Sequence, residues 1–255
     1  MSGIRLVFPV MGTMASVLVA EADCAVIGEV SVRKALHEAQ RDLALMDHRF
    51  SHYASDSEIT TWLAGGATSP DAVADFEYVL RQCSRLKLAS DGVFTVKNPA
   101  TGTVDTAGYV KGYAIKRAAE VLSDHGLRNF LLCVGGDTFC SGHPAAERPW
   151  RLAVADPQRA KGVAALVEVT DLAVATSGRA ERGDHIWNGT GIAENSLLSF
   201  TVIGPDVAES DAYATIGFAL GEAGVAWVAR HNGYRSLAIR TDGSLLGDAA
   251  LVSVA

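Results

Sequence analysis

Residues 105–112 combine a carboxylate, a lysine and two glycines within a short stretch that opens with Asp105. Gly108 and Gly112 lie on either side of Lys111. The apolar pattern that follows predicts a helix over residues 110–124. Glycines allow another group to approach the backbone closely, and the amides at the start of a helix attract anions. The stretch therefore suits a phosphorylated ligand with its metal ion, although an ordinary strand–turn–helix with a surface lysine leaves the same pattern.

A second candidate is the pair Asp211 and Thr215, near the start of a helix predicted over residues 209–220. Side chains four residues apart share one face of a helix, so the carboxylate and the hydroxyl point the same way. Two hard oxygen ligands of this kind suit Mg²⁺, which takes its remaining ligands from phosphate and water. Taken alone, the spacing is also explained if Asp211 only stabilises the helix start and Thr215 packs in the core.

Three further stretches place polar groups at turns. His185 lies in a polar loop, where a histidine is either a general acid or base or a bystander on the surface. Residues 135–137 read Gly-Gly-Asp after a buried strand. Either a ligand approaches there and Asp137 binds a ribose hydroxyl or a base, or the three residues form a tight turn. Residues 176–178, Thr-Ser-Gly, offer two hydroxyls at the end of another predicted strand.

Several elements must position these groups, and their order predicts the fold class. Helices and strands are interspersed without regular βαβ alternation, which predicts an α+β fold with mixed, largely antiparallel sheets and packed helices. No linker divides the chain, so residues 1–255 are expected to form a single domain. The remaining helices are predicted at 26–48, 71–90 and from 222 to about 231. The strands are predicted within 4–20 and 93–104 and at 130–134, 150–155, 163–169, 172–176, 198–203, 236–240 and 250–254.

Composition excludes several classes of function. The net charge is −7 and the pI is about 5.5, which argues against nucleic acid or an anionic membrane as a partner, because both favour a basic surface. The four cysteines form no CxxC pair, so a zinc site is not indicated.

The sequence contains no dinucleotide-binding glycine fingerprint, phosphate-binding P-loop or GxSxG motif. The N-terminus does not read as a signal peptide and no segment reads as a membrane span, so a soluble, cytoplasmic protein is expected.

Taken in order, the motifs resemble those of the ApbE family, the FAD:protein FMN transferases. The resemblance extends over nearly the whole chain and is specific in its order rather than in any single motif. It implies an ApbE-like, T-fold-like architecture. The matching stretches are residues 11–13 (MGT), 50–53 (FSHY), 57–59 (SEI), 91–94 (DGVF), 105–114, 134–137 (VGGD), 173–178 (AVATSG), 185–186 (HI), 190–191 (TG) and 211–215 (DAYAT).

The resemblance also implies an activity. Members of the family transfer FMN from FAD to a threonine hydroxyl of a target flavoprotein and release AMP, with Mg²⁺ as the metal. By this pattern His185 and Asp211 are catalytic, and the metal is held by Asp211, Thr215 and a backbone carbonyl near Val110. The residues expected to bind FAD are Met11, Tyr53, Glu58, Asp105, Gly108, Lys111, Gly135, Gly136, Asp137, Thr176, Ser177, Gly178 and Thr190.

The sequence departs from the family pattern at a few positions. Thr95 replaces the aspartate that usually follows the phenylalanine of the Gly-x-Phe-Asp motif, Ala107 replaces a glycine, and Val110 replaces an alanine. The segment after His185 is one residue shorter than usual and lacks a proline. Because that loop lies by the reacting phosphate in the family, two alternatives stay open: a Mg²⁺-dependent FAD pyrophosphatase that yields FMN and AMP, and a non-catalytic FAD-binding protein.

Overall fold

The computed structural model describes residues 3–52, 54–98, 102–178, 187–188, 191–192 and 196–248. Within these residues the helices are α1 (Glu21–Ile27), α2 (Glu29–Phe50), α3 (Glu58–Leu63), α4 (Pro70–Ala89), α5 (Ala107–Asp124), α6 (Val207–Leu220) and α7 (Ala223–Val228). The strands are β1 (Ile4–Val10), β2 (Thr13–Val19), β3 (Phe130–Val134), β4 (Asp137–Ser141), β5 (Trp150–Ala155), β6 (Val163–Val169), β7 (Leu172–Gly178), β8 (Trp187–Asn188), β9 (Gly191–Ile192), β10 (Leu197–Gly204), β11 (Arg235–Arg240) and β12 (Leu245–Gly247).

Eight strands form the main sheet in the order β1-β2-β3-β4-β7-β10-β11-β12. β5 pairs with β6, and β8 with β9, in two small separate sheets. Every strand pair among the described residues is antiparallel. The predicted α+β class with largely antiparallel sheets is therefore confirmed.

Several motif residues are gathered at one end of this sheet by two tight turns. The turn between β1 and β2 consists of Met11 and Gly12, and the turn between β3 and β4 of Gly135 and Gly136. All four residues have positive φ, as two-residue hairpin turns of type I′ require. β2 and β3 are neighbours in the sheet, so both turns lie at the same end of the sheet.

The two faces of the sheet carry different layers. Ala173 and Ala175 of β7 join the larger hydrophobic core, which also contains the apolar faces of the helices. Val174, between them, joins a smaller core that contains residues of β5 and β6. This alternation follows from the two-residue period of a strand, and it places helices on one face and the β5–β6 hairpin on the other.

Some sequence-based boundaries were wrong. The helix predicted over 26–48 is two helices, because Gly28 adopts a φ of 87° between α1 and α2. In the described parts of the strand predicted within 93–104, residues 93–98 and 102–104, the β-structure is limited to the isolated bridge between Lys97 and Val104. β4 and β12 were not predicted as strands, and the strand predicted at 250–254 lies outside the described residues. Among the helices that the structure describes, none combines the length and the hydropathy needed to cross a bilayer.

The helix predicted from residue 110 begins earlier, at Ala107. Gly108 therefore lies inside α5 rather than in a turn that precedes it, and Gly112 lies further along the same helix. A Cβ on Gly112 would lie 2.7 Å from Ala208 Cα and 2.9 Å from Asp211 Cβ, distances that real side chains do not tolerate. Gly112 is needed because α5 and α6 cross at this point. The group that approaches its backbone closely is therefore helix α6.

Candidate functional site

A cavity of about 540 Å³ opens beside the start of α5 and the adjoining end of the sheet. This volume lies in the range of small-molecule and cofactor sites. Its wall brings together ten of the residues that the sequence assigned to a site. They are Met11, Asp105, Gly108, Val110, Lys111, Thr176, Ser177, Gly178, Asp211 and Thr215.

Two buried carboxylates share one lysine at the polar end of the wall. Asp137 is fully buried and Asp211 is 2% exposed. The Lys111 Nζ lies 2.5 Å from Asp137 Oδ2 and 3.7 Å from Asp211 Oδ1. Burial raises the pKa of Asp211 to about 7; Asp137 adds to the shift, while Lys111 and the Gly112 amide oppose it. The cluster thus holds more negative than positive charge in a poorly solvated position.

The close crossing of α5 and α6 fixes the carboxylate of Asp211. The backbone N–H of Gly112 donates to Asp211 Oδ2 over 2.9 Å. This hydrogen bond is possible because no Cβ on Gly112 separates the two helices. Since Oδ2 accepts this hydrogen bond, Oδ1 is the oxygen of Asp211 that lies nearest to Lys111.

Hydroxyl groups continue the polar wall toward β7. Ser177 Oγ and Thr215 Oγ1 lie 3.1 Å apart. Behind them, Asp137 Oδ1 accepts a hydrogen bond from the Thr176 N–H over 3.0 Å. Asp137 therefore supports both Lys111 and the end of β7. Asp137 is not among the residues that line the cavity. Gly135 and Gly136 do not line it either; they form the turn that precedes Asp137, the first residue of β4.

The donor groups fit a hard divalent cation. Asp211 and Thr215 both line the cavity, and they supply one carboxylate and one neutral oxygen. Mg²⁺ commonly takes one or two carboxylates and completes its shell with substrate phosphates and water. A cation would also compensate the excess negative charge of Asp137 and Asp211. A metal site built by the protein alone would need a cluster of three or more His, Cys, Asp or Glu side chains. The described residues contain no such cluster.

Glu58 lies away from the cavity wall, in an ion-pair network. Its Oε2 accepts a hydrogen bond from Arg49 Nε over 3.0 Å, and a second nitrogen of Arg49 donates to Asp75. This places Glu58 at the start of α3, where it ties that helix to the end of α2. Three other assigned residues, Tyr53, His185 and Thr190, lie outside the described residues, and their roles stay predictions.

Two wall residues were not singled out from the sequence. Asp47 Oδ2 accepts the N–H of Met11 over 2.7 Å and so holds the β1–β2 turn against α2. His52 lies in the motif at 50–53, and its Nε2 contacts Thr106. A histidine inside that motif was a usable signal, whereas Asp47 resembles any polar residue on an amphipathic helix.

Comparison with known proteins connects this site to a family. A sequence model of the ApbE family matches residues 96–238. A FAD:protein FMN transferase of Salmonella typhimurium is 30% identical over 152 residues, which is 55% of this chain and 43% of that protein. One from Rhodobacter capsulatus is 29% identical over 220 residues, 80% of this chain and 42% of the relative. The chain therefore spans less than half the length of these relatives.

Solved structures show the same fold. The flavin transferase ApbE from Vibrio cholerae superposes with a TM-score of 0.78 at 21% identity and covers 98% of both chains. The ApbE protein of Thermotoga maritima superposes with a TM-score of 0.81 at 19% identity, again over 98% of both chains.

Proposed function

The chain belongs to the ApbE family, and we propose that it transfers FMN from FAD to a threonine hydroxyl of a target flavoprotein and releases AMP. Mg²⁺ is the proposed metal. The observation that carries the proposal is the position of Asp211 and Thr215 on the wall of one cavity, beside Lys111 and Ser177. That grouping combines metal ligands with a cation suited to phosphate.

The proposed metal ligands are Asp211, Thr215 and the carbonyl of Val110, all of which belong to cavity-lining residues. When bound, Mg²⁺ supplies charge neutralisation at the pyrophosphate of FAD. Gly112 orients the Asp211 carboxylate through its amide. Burial raises the pKa of Asp211, and a cation bound beside the carboxylate would oppose this shift by favouring the ionised form.

The other residues have proposed roles in binding and proton transfer. Lys111 contributes positive charge to the site, and Asp137 holds its ammonium group in place. The apolar side chains of Met11 and Phe94 line the cavity and suit the ring system of a flavin. The resemblance to the family assigns the removal of the threonine proton to His185 as a general base.

A direct assay tests the transfer. The protein, FAD and Mg²⁺ are incubated with a threonine-bearing acceptor domain, and flavin fluorescence is read on a denaturing gel while AMP is quantified in parallel. We expect a fluorescent acceptor band and AMP in equal amounts. An acceptor in which that threonine is replaced by valine is the matched control and should stay dark. The absence of a band across a panel of acceptors would contradict transfer.

Hydrolysis is the second candidate, because the segment after His185 is shorter than the family pattern and lacks its proline. A pyrophosphatase would release AMP and FMN at the same rate whether or not an acceptor is present. Tight FAD binding with neither AMP release nor a labelled band would identify a non-catalytic flavin-binding protein. We also propose a cytoplasmic location, which cell fractionation would test.

A further inference from the structure

His52 faces the cavity with one ring nitrogen already engaged. Its Nε2 lies 3.2 Å from the backbone nitrogen of Thr106 and 3.1 Å from Thr106 Oγ1. A backbone N–H can only donate, so Nε2 must be the acceptor. An imidazole that accepts at Nε2 is neutral and carries its proton on Nδ1. The fold therefore fixes the tautomer of this histidine.

The surroundings of the ring favour this neutral form. Burial lowers the pKa of His52, and the carboxylate of Asp105 opposes the shift. Thr106 is the residue that precedes α5, an 18-residue helix. The positive end of a helix dipole disfavours an imidazolium beside it. A neutral imidazole held at a helix N-terminus is an established way to present an N–H donor to a ligand.

The Nδ1–H of His52 has no hydrogen-bond partner in the part of the chain that the structure describes, and the side chain lines the cavity. Apolar side chains surround the same cavity, among them Met46, Phe50, Val93 and Phe94. Such a wall suits a flat ring system. A flavin ring carries carbonyl oxygens and ring nitrogens at its edge that accept hydrogen bonds.

We propose that His52 is a flavin-binding residue, whose Nδ1–H donates to an acceptor atom on the isoalloxazine ring of the bound nucleotide. The inference rests on the proposed function, since it takes the ligand to be FAD. It adds a contact that fixes the ring at the start of α5. The polar groups Lys111, Asp211 and Thr215 line the same cavity, where the phosphates are proposed to bind.

Two substitutions separate ligand binding from a purely structural role. In His52→Gln the side-chain amide reaches the position of Nε2, so it can still accept from Thr106 but no longer donates from the position of Nδ1. In His52→Asn the amide reaches only the position of Nδ1, so the donor is kept and the contact with Thr106 is lost. Each variant therefore keeps one of the two hydrogen-bonding functions of the His52 ring and loses the other.

Binding of FMN and of AMP to the full chain is measured separately, by flavin fluorescence quenching and by calorimetry. We expect His52→Gln to weaken FMN binding about tenfold, the scale of one lost hydrogen bond, with AMP binding and the melting temperature unchanged. His52→Asn should bind FMN within about threefold of the wild type and melt at a lower temperature.

The opposite pattern would overturn the assignment. If His52→Gln binds FMN as the wild type does, or if both variants weaken FMN binding equally, His52 does not donate to the flavin. An effect on AMP rather than FMN would also exclude the flavin ring. A wild-type protein that binds neither FAD nor FMN would instead contradict the proposed function, so the two failures are distinguishable.

Discussion

Two charge clusters in the described part of the chain differ in how completely their charges are paired. In the cluster formed by Arg49, Asp75 and Arg117, Asp75 receives hydrogen bonds from both arginines and from the Tyr113 hydroxyl. In the cluster formed by Lys111, Asp137 and Asp211, Lys111 contacts both carboxylates, and no second cation contacts them among the described residues. Only the second cluster reaches the cavity wall.

The difference shows in the pKa values. Burial works against ionisation of Arg49, yet hydrogen bonds to Glu58 and Asp75 raise its pKa. For Asp211 the effect of burial prevails: burial raises its pKa to about 7, and the opposing charge of Lys111 does not bring the pKa back to its ordinary value. A fully paired network stabilises the packing of α2, α4 and α5. An incompletely paired one at a cavity is a candidate site for a cation.

The largest effect is expected from the incompletely paired cluster. Asp211→Asn keeps an oxygen that can accept from the Gly112 amide but removes the charge, so metal-dependent turnover should fall by about two orders of magnitude or more. The rate of AMP release at saturating FAD measures it. Glu209→Gln, on the same helix and paired with Arg85, is the matched control and should keep its rate. Ordinary activity of Asp211→Asn would refute the ligand assignment.

The paired network should respond in stability rather than in chemistry. Asp75→Asn leaves Arg49 and Arg117 without their shared carboxylate, so the free energy of unfolding should fall by about 3 kcal/mol. Urea denaturation at neutral pH measures the change. The turnover of the remaining folded protein should stay near that of the wild type. A variant as stable as the wild type would show that this network contributes little.

Gly112 links the Asp211 carboxylate to the packing of α5 against α6. Gly112→Ala would push Ala208 and Asp211 away, and we expect it to cost about 1–3 kcal/mol of stability and to reduce turnover with it. Gly108→Ala is the control on the same helix, because its nearest neighbour is the Phe94 ring at 3.3 Å. Equal stability of the two variants, measured by thermal unfolding, would contradict the role given to the helix crossing.

The smallest effect concerns pH. The pKa of His52 is lowered from its ordinary value of 6.5, so the unfolded chain binds a proton more readily than the folded one. Stability from this residue is fully present above pH 6.5 and is lost as the pH falls below that value and through the lower pKa of the folded protein. Thermal unfolding between pH 5 and 8 should therefore show a steeper acid loss in the wild type than in His52→Gln, and identical slopes would count against the neutral tautomer.

The sequence predicted the fold class and ten of the 22 residues that line the cavity, but it did not predict the contacts that organise them. The predicted start of α5 was wrong because Gly108 resembles a turn residue. Only the packing against α6 shows why the helix has a glycine at position 112. The hydrogen bond between His52 and Thr106 spans 54 positions. No local pattern encodes such a long-range contact. The pairing of Glu58 with Arg49, nine positions earlier, was not predicted either.

The metal site is tested most directly by calorimetric titration of Mg²⁺ into the protein saturated with FAD, in the wild type and in Asp211→Asn. We expect a saturable Mg²⁺ site in the wild type that is lost in Asp211→Asn and kept in Glu209→Gln. Equal Mg²⁺ affinity in the wild type and Asp211→Asn would show that the incompletely paired carboxylate does not hold the metal.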